Sequence, residues 1–292
     1  MLKERLEQLF DLIAQHIPSE QIMLAKKEYQ KTTGETYEDD KSYNNRMSLF
    51  LEWYLLDNYK SGTEITTREK ITDDNRSNWI QEHLEVCQDI ANNIQALFEV
   101  KKVRDNSVTV VDLFKNNKYH IDEDDSKLIF RKNDIFQGRI VFHQEKWHFT
   151  GHFCFHPNKN QGFIKDEVKK ISSLYLSWEK ELSSLEKELS KKIKDSRKNI
   201  KSIEKVKVKL ERTDSISAKD KLTNELLNQE EKNRQFEISI QEIEKKICTL
   251  KNKTIKIKGQ RLISDLINRL SYMNLKWERS RQIEVTDIYK NL

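Results

Sequence analysis

A histidine-rich run in the middle of the chain, residues 147–156, has the residue types for metal chemistry. Side chains alternate between the two faces of an extended strand, so His152, Cys154 and His156 would share one face. Imidazole nitrogens and thiolate sulfur are ligands that Zn²⁺ prefers. The sequence favours a half-exposed strand whose polar face is rich in histidine and binds no metal, so no cofactor is predicted. A Zn²⁺ site with these three residues as ligands is the alternative that the pattern leaves open.

Two carboxylates, Glu52 and Asp57, lie within the apolar run at residues 50–57. Their spacing places them on different parts of a helix surface, which is unsuitable for a general acid and base pair. We expect structural roles for them, as a helix cap or as the acceptor of a hydrogen bond from Trp53. The chain has no local signature of a Ser–His–Asp, Cys–His or phosphate-loop site. The sequence thus predicts no catalytic residue and favours a protein that is not an enzyme.

A strongly basic stretch lies in the C-terminal half of the chain, at residues 191–201. A basic helical face can bind the phosphate backbone of a nucleic acid without reading its sequence. Two features favour a solvated helix instead, since acidic residues of a facing helix would neutralise the lysines and no aromatic side chain is present to stack on bases. The candidate nucleic-acid contacts are Lys191, Lys192, Lys194, Arg197, Lys198 and Lys201.

The composition indicates long helices and a reducing compartment. Charged residues make up 35% of the 292 positions, and only six glycines and two prolines occur among them. Long exposed helices have this composition, whereas nucleotide-binding loops are rich in glycine. Three widely spaced cysteines predict neither a disulfide framework nor a zinc ribbon. A charged N-terminal segment and the lack of an apolar stretch of ~18 residues predict neither a signal peptide nor a membrane span, so we expect the cytoplasm.

The elements that would position these residues begin with a helical domain, residues 1–97. Apolar residues recur there at steps of three and four, the spacing of one helical face. The predicted helices cover residues 2–17, 19–32, 43–59 and 75–97. From residue 98 to residue 163 apolar and polar residues alternate, which predicts short strands and a small antiparallel β-barrel of SH3 or OB type. The predicted strands are residues 98–100, 108–111, 119–121, 128–130, 135–142 and 147–155.

Residues 164–258 carry the alternating steps of three and four that are typical of a coiled coil. The apolar spacing predicts a stutter between Leu189 and Ile200 and a turn near residues 213–217. A parallel dimer would place the basic stretch against its own copy, whereas antiparallel pairing places it against the more acidic second arm. The charge pattern therefore favours an antiparallel coiled-coil hairpin.

The last segment, residues 259–292, is predicted to be a C-terminal amphipathic helix, and Gly259 is expected to end the second arm. The fold class is α+β, mainly α. We expect a non-enzymatic interaction or scaffold protein whose hairpin projects from a globular head and binds a protein partner or a second copy. The alternative is a nucleic-acid-associated protein that binds through the small barrel and the basic arm.

One part of the chain resembles a known domain family. The F-x-E-W-Y-L-x-D sequence at residues 50–57 and the strand at residues 133–140 are similar to an uncharacterised bacterial domain, in which an F-x-E-W-[FY]-L-x-D helix precedes a small β-barrel. The resemblance covers residues 45–156 and implies structural roles for Asp134 and Arg139. Some members carry a SEC-C zinc motif beginning C-x-C, and here the coiled coil stands in its place. The resemblance implies no activity.

Overall fold

The computed structural model of the protein describes residues 2–58, 65–123, 126–280 and 282–290. The predicted end of the third helix at residue 59 lies outside these ranges. The chain divides into two compact units, one formed by residues 1–172 and 260–292 and the other by residues 173–259. No helix in the described ranges has both the length and the apolar character that a membrane span requires.

Helices form the N-terminal part of the first unit. Three of the four predicted helices are confirmed, and the fourth, over residues 75–97, is confirmed only as a shorter helix at Gln81–Ala91. A 3₁₀ turn at Arg76–Asn78 separates two helices in this region, and the chain enters the first strand at Ile94. The first of these two helices, Thr67–Asn75, is absent from the sequence prediction. Its sequence signal is a capping box, in which Thr66 and Glu69 satisfy each other's backbone N–H groups. The helices are α1 (Leu2–Gln15), α2 (Ser19–Thr33), α3 (Tyr43–Leu56), α4 (Thr67–Asn75) and α5 (Gln81–Ala91).

Six strands form one sheet in the first unit. Five of them close a circuit in the order β1-β2-β3-β5-β4-β1. β6 pairs with residues 135–137 of β4, on the same edge that β5 occupies at residues 140–143. A β-bulge between Val100 and Lys102 bends β1, whose first half pairs with β4 and whose second half pairs with β2. The pairs are antiparallel except β3 with β5, where Ile121 lies opposite Trp147 in a parallel pair. The strands are β1 (Ile94–Arg104), β2 (Ser107–Asp112), β3 (Lys118–Asp122), β4 (Ile135–His143), β5 (Lys146–Phe149) and β6 (Cys154–His156).

This strand order is a Greek key and not a simple meander, so the barrel is of the OB type of the two that the sequence predicts. The predicted strand at residues 128–130 is wrong, because the chain between β3 and β4 forms a short helix, α6 (Ser126–Ile129). The residue after α6, Phe130, is buried and its ring lies 5.1 Å from that of Phe136 and 5.3 Å from that of Phe149. Phe130 therefore packs in the barrel core without joining the sheet, whereas Ile129 is exposed.

The predicted strand at residues 147–155 is two strands. Gly151 has a positive φ of 109°, which interrupts the extended conformation between β5 and β6. The alternation of faces that a single strand would impose is therefore lost within the histidine-rich run.

The second unit is an antiparallel helical hairpin. It contains most of α7 (Gln161–Glu211) and all of α8 (Ile216–Thr249), and Ser215 is the N-cap residue of α8. The turn therefore lies where the sequence predicts it. Contacts between the two helices link early residues of one to late residues of the other, and they run from Lys207 with Glu230 (3.0 Å) to Glu186 with Lys251 (2.8 Å).

The predicted stutter between Leu189 and Ile200 is wrong. The stripe of α7 that is shielded from solvent continues through this stretch at regular steps of three and four, and its members there are Lys192, Ser196 and Asn199. Ile200 itself is exposed. An apolar pattern cannot detect a stripe whose members are polar. On α8 the predicted stripe is confirmed at Leu222, Leu226, Gln229, Asn233, Phe236, Ile240, Ile243, Ile247 and Leu250, all buried or partly buried.

The expectation that Gly259 ends the second arm is also wrong. The helix continues from α8 through a π-helical stretch, Leu250–Lys258, into α9 (Gly259–Arg279), and α10 (Val285–Lys290) follows. Gly259 has helical dihedral angles, φ −62° and ψ −46°. A Cβ atom at this position would collide with the ring of Tyr175. Glycine is therefore required here for close packing and not for a left-handed cap.

Candidate functional site

Strand β4 is buried on both faces, and this places a charged residue in the interior of the first unit. Phe136 packs against the other aromatic rings of the barrel core. Val141, on the opposite face, belongs to the apolar core of the helices. Arg139 is on the same face as Val141, because it lies two residues earlier on the strand. Its side chain is 1% exposed and points toward the end of α3.

The Arg139 guanidinium binds two carboxylates. Its Nε lies 3.3 Å from Glu52 Oε2, and its Nη1 and Nη2 donate to Asp57 in a bidentate arrangement. Nη1 also donates to the side-chain oxygen of Asn93. Burial alone would lower the pKa of Arg139, but the carboxylates of Asp57 and Glu52 outweigh burial and raise the pKa above its usual range. This ion cluster connects the helical part of the first unit to its barrel.

Glu52 has one oxygen that Arg139 does not satisfy. Among the described residues, Glu52 Oε1 and the Nδ1 atom of His152 are both buried without a hydrogen-bond partner, and they lie 4.0 Å apart. The His152 side chain is 21% exposed, so this end of the cluster reaches the surface.

A second buried arginine, Arg46, joins α3 to α9. It donates to the carbonyl and hydroxyl oxygens of Ser271 and to Asn274 Oδ1, at 2.8 to 3.2 Å. A cavity of about 220 Å³ opens beside it. Trp277, 41% exposed, and Glu278, 3.5 Å from Arg46, contribute to the cavity wall.

The three predicted zinc ligands contact different partners. His152 faces Glu52, Cys154 lines the cavity beside Arg46, and His156 Nδ1 lies 3.1 Å from the hydroxyl of Tyr289. Burial raises the pKa of Cys154 to about 11, so the thiol is protonated at neutral pH, and burial lowers the pKa of His156 to about 3.

In the part of the chain that the structure describes, no group of three or more His, Cys, Asp and Glu side chains is placed to hold a metal ion. The zinc site has no geometric support and stays a prediction.

The basic residues of α7 lie on the outside of the hairpin. Lys191, Lys194, Arg197, Lys198 and Lys201 are exposed, and Lys192 is partly buried because it belongs to the stripe that faces α8. Among the described residues, one of these six side chains forms an ion pair. Lys198 Nζ lies 3.5 Å from the Asp195 carboxylate of the same helix. A shallow groove of about 400 Å³ is lined by Ser190, Ile193, Lys194, Arg197, Lys198 and Lys201.

Sequence reasoning missed the ion cluster for two reasons. Asp57 follows the last helical residue, Leu56, so the helical spacing from Glu52 does not determine where its carboxylate points. Arg139 is more than 80 positions further along the chain, and no local pattern links it to α3. The one available signal is the family resemblance, which includes both the 50–57 run and the strand that carries Arg139. Asp134, also within it, accepts a hydrogen bond from the Arg131 amide at 2.8 Å in the turn before β4.

Comparison with known proteins finds one family that matches the N-terminal part of the chain. The sequence profile of a family of unknown function, DUF7986, matches residues 1–180, which include α1 to α6, the barrel and the start of α7. No curated protein and no solved structure matches the chain. The match covers more than half of the 292 residues, and the chain therefore belongs to the DUF7986 family of unknown function.

Proposed function

We propose that this protein is a non-enzymatic interaction protein that makes contact through its helical hairpin. The observation that supports this is the direction of the basic side chains on α7. The buried stripe of α7 is used by α8 of the same chain, so five of the six basic residues point away from the hairpin seam and are exposed to solvent. Such a face is available to a partner without any rearrangement of the hairpin.

The partner that this surface favours is a nucleic acid. Among the described residues, no acidic residue of α8 forms an ion pair with the basic stretch. The nearby ion pair between α7 and α8, Lys207 with Glu230, lies beyond the stretch. An exposed row of cations attracts a phosphate backbone and exchanges its counterions. The barrel adds a second candidate surface, since OB-type barrels bind oligonucleotides and Phe142 is 44% exposed next to Trp147, with ring centroids 5.1 Å apart.

A protein partner, or a second copy of the chain, is the other candidate. Large apolar side chains are exposed on the hairpin, among them Leu176 at 57% and Leu227 at 58%. These residues lie outside the stripes through which α7 and α8 pair, so a partner helix would find apolar contacts there. We propose a cytoplasmic location, where Cys87, Cys154 and Cys248 would stay unpaired, as they are in the structure.

Two measurements on the full-length protein test these proposals. Binding to DNA and RNA at two salt concentrations is expected to show an affinity that falls steeply as salt rises. No measurable binding at low salt would remove the nucleic-acid proposal. Light scattering after size exclusion would then decide between a second copy, which gives a dimer, and a different protein, which leaves the purified chain monomeric.

We also propose that Glu52, Asp57 and Arg139 are the positions that define the F-x-E-W-[FY]-L-x-D resemblance. The physical reason is that a buried guanidinium needs a carboxylate partner, and Arg139 contacts both of these carboxylates. A family member that keeps the arginine but lacks both acids would contradict this.

A further inference from the structure

The outer face of α7 carries a longer basic row than the sequence analysis identified. Starting from the exposed lysines of the basic stretch, the same steps of three and four residues reach Lys187 at one end and Lys205 at the other, and both are exposed. Residues with this spacing stay on one side of a helix. The row is therefore straight, with the members Lys187, Lys191, Lys194, Lys198, Lys201 and Lys205.

We infer that this row binds the sugar–phosphate backbone of a double-stranded nucleic acid, independently of sequence. The inference rests on the nucleic-acid function proposed above and names its site and ligand. From Lys187 to Lys205 the helix rises ~27 Å at ~1.5 Å per residue. A duplex presents phosphates on both strands over about eight base pairs in that length, at ~3.4 Å per pair.

The chemistry of the face favours a duplex over a single strand. Binding of single strands without sequence preference uses aromatic side chains on which the unpaired bases stack. The segment from Lys187 to Lys205 contains no aromatic residue. Its side chains offer ammonium groups and the Arg197 guanidinium, which pair with phosphates and cannot replace base stacking. A stiff helix with cations every 4.5 to 6 Å, from rises of ~1.5 Å per residue, matches a stiff rod of phosphates.

The charge balance around the row supports binding of an anion. Among the described contacts, Lys198 is paired with Asp195, and no ion pair occurs at Lys187, Lys191, Lys194, Lys201 or Lys205. The other acids of the segment are Glu188 and Glu204, and both are exposed with no ion pair among the described residues. The row therefore carries a net positive charge that the folded hairpin does not neutralise.

The experiment compares two variants of the full-length protein that lose the same charge from the same hairpin. In the first, Lys191, Lys194, Lys198 and Lys201 are each changed to glutamine. The matched control changes four exposed lysines of α8 to glutamine, namely Lys219, Lys221, Lys245 and Lys246. Affinity is measured by fluorescence anisotropy over a series of salt concentrations. The three probes are a mixed-sequence DNA duplex of about 20 base pairs, an RNA duplex of the same sequence, and one strand of the DNA duplex alone.

The wild type is expected to bind both duplexes more tightly than the single strand. The slope of log affinity against log salt should become less negative by about 3 to 4 in the α7 variant, at ~0.9 per lost contact, while the α8 control keeps the wild-type slope. Replacing the same four lysines by arginine should restore the slope. Binding of one duplex alone would assign the site to that nucleic acid.

Three outcomes would overturn the inference. If the wild type binds single strands as tightly as duplexes, the assignment to a duplex is wrong. If the α7 variant keeps the wild-type slope, the site is wrong, and in both cases nucleic-acid binding stands. A wild type that binds none of the three probes removes the proposed function as well. Circular dichroism checks that each variant is helical. If the fourfold variant is not, Lys194→Gln/Lys201→Gln is measured, with an expected slope change of about 2.

Discussion

Replacing Arg139 by methionine should destabilise the first unit severely. The substitution keeps a long side chain in the interior but leaves the carboxylates of Glu52 and Asp57, 3% and 5% exposed, without their cation. Removing one partner of a buried ion pair costs about 3–5 kcal/mol. We expect the upper part of this range, because Arg139 also donates to Asn93 and its loss leaves three acceptors unsatisfied. Domain stabilities of about 5–15 kcal/mol make this a large fraction of the total.

The assay is urea unfolding followed by tryptophan fluorescence. Four of the five tryptophans, all except Trp178, lie in the first unit. A Trp178→Phe background therefore makes the signal specific to that unit, which is necessary because a chain with two units need not unfold in one step. With a slope of about 2–3 kcal/mol per molar urea, the midpoint should fall by about 1–2 M.

A triple variant supplies the control for this prediction. Arg139→Met combined with Glu52→Gln and Asp57→Asn removes all three charges, so no uncompensated ion stays buried. Replacement of a complete buried ion pair by apolar residues of similar volume is often close to neutral in stability, and the two amides introduced here cost less to bury than unpaired carboxylates. The triple variant should therefore be more stable than Arg139→Met alone. A cost below ~1 kcal/mol for Arg139→Met, or a triple variant no better than the single one, would refute the argument that charge compensation dominates.

Three further predictions concern packing, pH and thiol reactivity. Gly259→Ala should destabilise the hairpin, because its Cβ collides with the Tyr175 ring. In a Tyr175→Ala background the same change should stabilise the hairpin by about 0.5–1 kcal/mol through helix propensity. Thermal unfolding followed by circular dichroism distinguishes the collision from the propensity effect. Burial lowers the pKa of His156 to about 3, so below pH ~6.5 the unfolded state binds a proton that the folded state does not bind. The free energy of unfolding should therefore fall by up to about 4 kcal/mol between pH 6.5 and 3, and by less in His156→Gln. Iodoacetamide at pH 8 should modify the exposed Cys248 rapidly. The buried Cys154, whose pKa is about 11, should react only when the protein unfolds. Mass spectrometry measures both rates, and early labelling of Cys154 would contradict the prediction.

The stripes of the two hairpin helices differ in how far the sequence predicts them. The stripe of α8 is predictable residue by residue, because most of its members are apolar and their spacing is visible. The stripe of α7 has no apolar pattern between Leu189 and Ile203, because Lys192, Ser196 and Asn199 occupy its positions. A polar residue is not necessarily exposed, since Asn199 donates to the Gln229 carbonyl at 2.8 Å and is 9% exposed.

Candidate sites were predictable only where they lie on one element. The outward basic face of α7 needs nothing beyond helical spacing, so its residues follow from the sequence. The ion cluster depends on the pairing of β4 with β1 and on the packing of β4 against α3, which are contacts distant in sequence. Gly259 shows a third limit, since a glycine that ends a helix and a glycine that admits a neighbouring ring are the same letter.

The polar stripe and the basic face occupy the same stretch of α7, and each has a consequence for the other. Polar residues at Ser196 and Asn199, which meet Asn233 and Gln229, fix the register of the hairpin but bury less apolar surface than leucines would. The outward lysines repel one another across the same residues, which lowers the stability of the folded hairpin further. A polyanion on this face would remove the repulsion, and any ligand that binds only the folded state stabilises it. Folding of this stretch and the proposed binding to its outer face would therefore be thermodynamically linked, and screening by salt should strengthen the first while it weakens the second.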